Sequence, residues 1–215
     1  MNRIAPELRV EIPLDRVAQY PAHRREQSKL LVYDRRRGEV IHIGRFREIV
    51  GFIGSALVVL NDTRVMPVRV EGRRMPGGGK VELLFLSADG AVRESSGGSV
   101  ETRALVNPSR RLRPGLSIGL PGPASFTLRA KIPDGGWAGV WECEGDMQWS
   151  EWLNRFGRPP LPPYIRRPPE VVDRTRYQTV YARRPGSLAA PTAGFHFTAG
   201  LLKSLSAAGC RTAWM

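Results

Sequence analysis

The chain has 215 residues, 41% of them hydrophobic, which suits one large domain or two small ones with a real core. No stretch approaches the ~20 consecutive apolar residues of a membrane-spanning helix, and the start MNRIAPELRVEI carries no apolar signal core, so membrane and secreted classes are not expected. Lys and Arg number 33 against 20 Asp and Glu, a net charge of +13, which fits either an arginine-rich solubilising surface or a polyanionic partner.

LLVYD (30–34) and EVIHI (39–43) are short β-type runs joined by RRRG and read as a hairpin. Phe46, Ile49, Val50 and Ile53 then fall on one helical face, which Gly54 ends. ALVVL (56–60) is a continuous apolar run, the pattern of a strand buried on both faces. From about Met66 to Gly145 the strand-like pieces VRVEGRR, KVELLFL, VETRALV, LSIGL, SFTLRAKI and GVWECEG alternate with Gly- and Pro-rich turns. Such a series without helical period predicts a small antiparallel β-barrel or sandwich. The fold class expected is α/β, with a discontinuous α/β domain (1–65 and 146–215) and an inserted β-barrel domain (66–145). QWSEWLNRF (148–156) restores a helical pattern that Gly157 stops, and RPPLPPYIRRPPE (158–170) reads as a rigid extended connector. Thr198 is placed to cap a helix with Leu201, Leu202, Leu205 and Ala208 on its core face and Gly209 just past its end. A further strand would begin near Cys210, so the sheet stops where an α/β unit should continue.

Candidate chemistry gathers in few places. PGGGK (76–80) is not a phosphate-binding P-loop, because Val follows the lysine and a strand rather than a helix comes next. Lys80 and Glu82 nevertheless share one face of that strand. LNDTRV puts Asn61, Asp62, Thr63 and Arg64 at the carboxyl end of a strand, where open α/β sheets bind ligands. An Asx-type turn with Arg64 in a surface pair explains the same residues, and spacing does not separate the two readings. Arg110 and Arg111 can meet phosphates or form a solvated edge. Cys143 and Cys210 lie far apart, with no CxxC pair or Cys/His cluster, which implies reduced thiols, a cytoplasmic setting and no zinc site. In AAPTAGFHFT, an extended segment would turn Phe195 and Phe197 away from His196. A helix start just beyond would keep the imidazole neutral and able to accept a proton. A histidine satisfied by backbone is the alternative reading.

Several segments together resemble one family, the S-adenosylmethionine:tRNA ribosyltransferase-isomerases of queuosine biosynthesis. They are YPAHRREQSKLLVYD, LVVLNDTRVMPVRVEGRR, GGGKVELL, ALVNPSRRLRPG and LPPYIRRPPEVVDRTRYQTVYARRPGSLAAPTAGFHFT, in the family's order. The resemblance implies transfer and isomerisation of the ribosyl part of S-adenosylmethionine onto 7-aminomethyl-7-deazaguanine at the tRNA wobble position. Epoxyqueuosine forms, adenine and methionine leave, and no metal is needed. It implies catalytic roles for His196, Asp62 and Arg64. Substrate contacts fall to Asn61, Thr63, Tyr177, Tyr181, Pro191, Thr192, Ala193 and Gly194, and RNA contacts to Arg110 and Arg111. Lys29 stands where the family usually has Arg, and Phe195 where Leu is usual.

Family members also continue through segments resembling LHVGAGTF, GTTxVR and NFHLP, which this chain lacks. The expectation is therefore a C-terminally truncated chain, inactive alone, poorly soluble or assembling with a complementary C-terminal fragment. A non-catalytic RNA-binding remnant of the same enzyme is the alternative.

Overall fold

A computed structural model describes residues 12–86, 93–95, 98–133 and 135–215. Its first element is the expected hairpin: β1 (Lys29–Asp34) pairs antiparallel with β2 (Glu39–Arg45). Asp34 Oδ1 accepts the backbone N–H of Arg36 and of Arg37 at 2.8 and 3.2 Å, and Gly38 supplies the positive φ of 71° that closes the turn. The predicted helical face follows as a 3-10 turn (Phe46–Ile49) running into α1 (Val50–Ile53). Phe46, Ile49, Val50 and Ile53 do pack inward together.

β3 (Leu57–Leu60) is not buried on both faces. Leu60 is buried and Val58 packs on the core, but Leu57 and Val59 are 55% and 56% exposed. The cause is layering. Among the described residues β3 pairs only with the C-terminal strand Arg211–Trp214, and a covering layer lies on one face of that pair alone. β4 (Thr63–Val65) follows at once, so part of the polar stretch after β3 is itself a strand.

The middle of the chain closes into a six-stranded antiparallel barrel. Its strands are β5 (Arg69–Met75), β6 (Lys80–Phe85), β8 (Ser99–Asn107), β9 (Ser117–Leu120), β10 (Ala124–Lys131) and β11 (Trp137–Cys143). The circuit runs β5–β6–β8–β11–β10–β9 and back to β5. Arg93–Ser95 forms a further short strand, β7, beside β8. Alternate residues point inward, so Leu83, Phe85, Ile118, Phe126, Leu128 and Trp141 fill the lumen with 0% exposure. The predicted helix α2 (Trp149–Phe156) plugs this barrel, whereas the sequence placed it with the α/β part. Its indoles dictate the choice. Trp149 and Trp152 stack 5.8 Å apart beside Phe85 and Trp141, and Trp152 Nε1 donates to the Pro121 carbonyl at 3.0 Å.

After Gly157 the backbone of Arg158 bonds both ways with Arg69, and the proline-rich segment runs extended to α3 (Asp173–Arg176). β12 (Arg184–Ser187), which the sequence did not signal, pairs parallel with β4. A 3-10 turn (Thr192–His196), α4 (Ala199–Ala207) and β13 (Arg211–Trp214) complete the chain, with β13 parallel to β3. Thr198 caps α4 as expected, its Oγ1 accepting Leu201 N–H at 3.1 Å, and Gly209 takes φ 86° just past the end. Leu201 and Leu205 are buried in a second core with Phe46, Phe197 and Cys210; Ala208 lies exposed at the helix end rather than on the core face. The whole is an α/β fold carrying a small antiparallel barrel.

Candidate functional site

One inviting space is a cleft of about 710 Å³ lined by Tyr20, Arg25, Tyr164, Arg176, Tyr177 and His196 among others. Its walls are the N-terminal segment, the ends of β1 and β2, the proline-rich segment and the Thr192–His196 turn. It carries five cations, Arg25, Lys29, Arg45, Arg167 and Arg176, against one carboxylate, Asp173.

One wall is a locked cluster. Arg167 donates from Nη1 and Nη2 to the two Asp173 oxygens, each at 2.7 Å, and its guanidinium stacks 4.2 Å from the Tyr20 ring centroid. Tyr20 Oη donates to Glu170 at 2.7 Å, and Gln19 bonds the backbone of Tyr164 and Arg166. Asp173 is thereby held well below the usual carboxylate range, chiefly by the Arg167 hydrogen bonds. The prolines fix an extended path, and these polar bonds dock it onto residues 19–20.

The opposite wall carries the histidine. AAPTAGFHFT is not extended here: Gly194 N–H bonds the Pro191 carbonyl at 2.8 Å and Phe197 N–H the Gly194 carbonyl at 3.2 Å. The tight turn places Phe195 and His196 both toward the cleft and sends only Phe197 into the core, 5.1 Å from Phe46. His196 packs 5.0 Å from Phe46, and burial pushes its imidazole below the ordinary histidine range, with Arg25 adding to the effect. Arg25 itself is pinned by the carbonyls of Phe195 and Thr175 at 3.1 and 3.0 Å. Arg176 holds the carbonyls of Ala22 and His23 at 2.6 and 2.9 Å, while its Nε is buried without an acceptor among the described residues. Burial raises the Tyr177 phenol above its ordinary range, so near neutral pH it stays a hydrogen-bond donor; its ring meets Phe195 at 5.6 Å.

The other sequence-predicted residues gather elsewhere. Asn61 Oδ1 accepts from Thr63 N and Oγ1 at 2.9 and 2.7 Å, an Asx turn. Asp62 is 2% exposed. Its carboxylate takes Arg184 Nε at 2.7 Å and Arg183 Nη2 at 3.1 Å, and its carbonyl takes both their backbone N–H groups. Burial opposes its ionisation, but Arg184 and then Arg183 outweigh that and hold the carboxyl below the usual range. Arg64 is exposed and has no carboxylate partner among the described residues, so the surface pair weighed for it does not form. Tyr181 lies 5.4 Å from Trp214, its phenol raised by burial.

The 192–196 turn stands between the two clusters. Thr192 and His196 line the cleft, whereas a side chain at Gly194 would strike the Tyr181 hydroxyl and lie 2.7 Å from the Thr179 methyl. Gly194 is buried, Pro191 half-buried and Ala193 exposed. Arg110 and Arg111 sit far along the chain on a barrel loop outside both clusters. The sequence reading missed Tyr20, Arg25, Arg167, Asp173 and Arg176. For Arg167 and Asp173 the signal was the spacing of Arg and acid in IRRPPEVVD, most of which was read as an extended connector. Among the described residues no three His, Cys, Asp or Glu side chains converge as a metal-binding group, and no helix is long and apolar enough to cross a membrane.

The family model described as queuosine biosynthesis protein matches residues 7–215. An S-adenosylmethionine:tRNA ribosyltransferase-isomerase of Rubrobacter xylanophilus is 45% identical over 96% of this chain and 57% of its own length. One of Pelobacter propionicus is 39% identical over 98% of this chain and 59% of its own, and one of Geobacter sulfurreducens 38% identical over 98% and 59%. The chain thus spans less than two thirds of the relatives it matches. With the barrel, the parallel strand pairs and the cleft in place, it belongs to the queuosine biosynthesis protein family.

Proposed function

We propose that this chain forms part of a site that transfers and isomerises the ribosyl part of S-adenosylmethionine onto 7-aminomethyl-7-deazaguanine at the tRNA wobble position, in the cytoplasm, yielding epoxyqueuosine, adenine and methionine. The observation that carries this reading is the cleft, where a neutral half-buried histidine faces two anchored arginines in a chain of this family. His196 takes the proton from the carbon beside the sulfonium, a role that needs an unprotonated imidazole near neutral pH. Arg25, Arg176 and the cations around them hold anionic groups, the methionine carboxylate and RNA phosphate. Tyr177 and Thr192 donate or accept hydrogen bonds at the ribose hydroxyls, with Pro191, Ala193 and Gly194 keeping that wall thin. Asn61, Thr63, Arg64 and Tyr181 contribute from the far side of the turn, and Asp62 acts through Arg183 and Arg184 as a positioning residue. The chain works with a complementary segment equivalent to the part of the relatives it does not span.

Adenine release from S-adenosylmethionine with precursor-modified tRNA tests this, using the chain joined to the remaining part of the Rubrobacter relative. Turnover is expected, and His196→Ala should lower it by roughly 10²-fold or more, the usual worth of a positioned acid or base. Adenine release unchanged by His196→Ala overturns the assignment.

A further inference from the structure

One end of the barrel carries a strong charge that the cleft does not use. The β5–β6 loop (76–79) and the β8–β9 loop (108–116) meet there around an opening of about 510 Å³ lined by Arg74, Gly77, Gly79, Arg111 and Arg113. Residues 74–81 and 107–117 include Arg74, Lys80, Arg110, Arg111 and Arg113 and not one Asp or Glu. None of these five cations lies within ion-pairing reach of a carboxylate among the described residues. Nearby, by contrast, Arg69 and Arg158 are neutralised by Glu82 and Glu71.

The loops are built rather than loose. Arg74 N–H bonds the Gly79 carbonyl and Gly78 N–H the Arg74 carbonyl, both at 2.9 Å, and Arg74 Nη1 reaches across to the Arg110 carbonyl at 3.1 Å. The Arg74 guanidinium lies where a side chain at residue 79 would be, so a larger residue there would displace it. Arg111 holds φ 61°, the one non-glycine residue with positive φ among the described residues. A left-handed arginine is disfavoured where glycine would fit freely, and such outliers concentrate where a side chain is used.

We infer that this end of the barrel binds the phosphate backbone of RNA, as a contact separate from the cleft. Exposed Arg110, Arg111 and Arg113 on the β8–β9 loop, with exposed Lys80 and half-buried Arg74 at the strand ends beside them, suit a chain of repeated charges better than one ion. No aromatic side chain lines the opening, so bases are not stacked there and binding is indifferent to sequence. The inference rests on tRNA being the macromolecular substrate, but its test is independent of turnover.

Binding of a labelled unmodified tRNA transcript to the 215-residue chain is followed by fluorescence anisotropy from 50 to 200 mM salt. Arg74→Gln with Arg113→Gln should reduce the slope of log affinity against log salt by about 1.8, at about 0.9 per lost phosphate contact. The parent then loses about 12-fold more affinity than the variant across that fourfold salt range. Arg111→Gly should reduce the slope while leaving the melting temperature unchanged or raised, which separates binding from folding. Gly79→Ala, which displaces the Arg74 guanidinium, should weaken binding with all charges kept. Arg37→Gln, a charge removed from the β1–β2 turn, is the control. Slopes of the loop variants equal to that control overturn the inference, as does displacement of the RNA by inorganic phosphate at constant ionic strength. Normal loop effects with an inert His196→Ala would sink the cleft assignment instead.

Discussion

Asp173→Asn asks whether one buried ion pair holds the proline-rich wall of the cleft. The Asp173 and Arg167 side chains are 4% and 12% exposed, and two 2.7 Å bonds join them, with Glu170 N–H adding a third to Asp173. Asparagine keeps the volume but removes the guanidinium's close counter-charge, leaving only Glu170 at 3.8 Å and little water. Removing one partner of a buried pair costs about 3–5 kcal/mol. Arg167 retains the Tyr20 stack and the Gln19 carbonyl at 2.9 Å, so the lower end, about 3 kcal/mol, is expected. For a chain of this size that lowers the melting temperature by about 6–12 °C. The pH dependence has a definite sign. Asp173 is more acidic folded than unfolded, so its contribution is present above the ordinary aspartate pKa and fades as the pH falls through the folded value. Parent and variant should therefore converge below about pH 4. Melts followed by tryptophan fluorescence at pH 7 and at lower pH measure both effects. A variant melting within about 1 °C of the parent at pH 7 would refute the reasoning.

Two further outcomes concern the turn between the clusters. Gly194→Ala pushes a methyl group against the Thr179 methyl and the Tyr181 hydroxyl, and relieving that contact should cost about 1–3 kcal/mol by chemical denaturation, with adenine release reduced as well. Unchanged stability would mean that the two walls are not in contact there. The His196 ring, followed by NMR through a pH titration, should take up its proton below the ordinary histidine range because of its burial and Arg25. Folding stability should accordingly fall as the pH drops below the ordinary imidazole value; a midpoint at or above about 6.5 contradicts the picture.

Periodicity carried most of the fold. The barrel strands, α2, α4 with its threonine cap and the β1–β2 hairpin were legible because each is a local pattern of apolar spacing and turn residues. What failed depends on partners distant in sequence. ALVVL has the composition of a doubly buried strand, but composition does not say that only one face of β3 is covered. α2 was assigned to the wrong core because an amphipathic helix shows that it has a buried face and not which one it meets. β12, with the sequence RPGS, has no strand-forming residues and exists because β4 offers its edge. The cleft arginines were hidden for the same reason: in an arginine-rich chain, only the fold distinguishes the guanidiniums that bond carbonyls from those that meet water.

The candidate site was half legible, and the half that was missed alters its geometry. Read as an extended segment, PTAGFHF has two faces and sends both phenylalanines away from the histidine. With the segment wound into a 3-10 turn, residues three apart share a face, so Gly194 and Phe197 both turn toward the core that Tyr181 packs on. Phe195 and His196 then share the cleft side, Phe197 anchors the core, and Gly194 is left against Tyr181. That arrangement makes the turn a partition one residue thick. Asn61, Asp62 and Tyr181 lie on one side of it, and His196, Tyr177 and the cations on the other. A shift of the turn changes both sides together, since Gly194 leaves no slack at its centre. Of the small residues before His196, Gly194 is thus the packing requirement, since a side chain there would strike Tyr181 and Thr179, and His196 follows it just before the Thr198 cap.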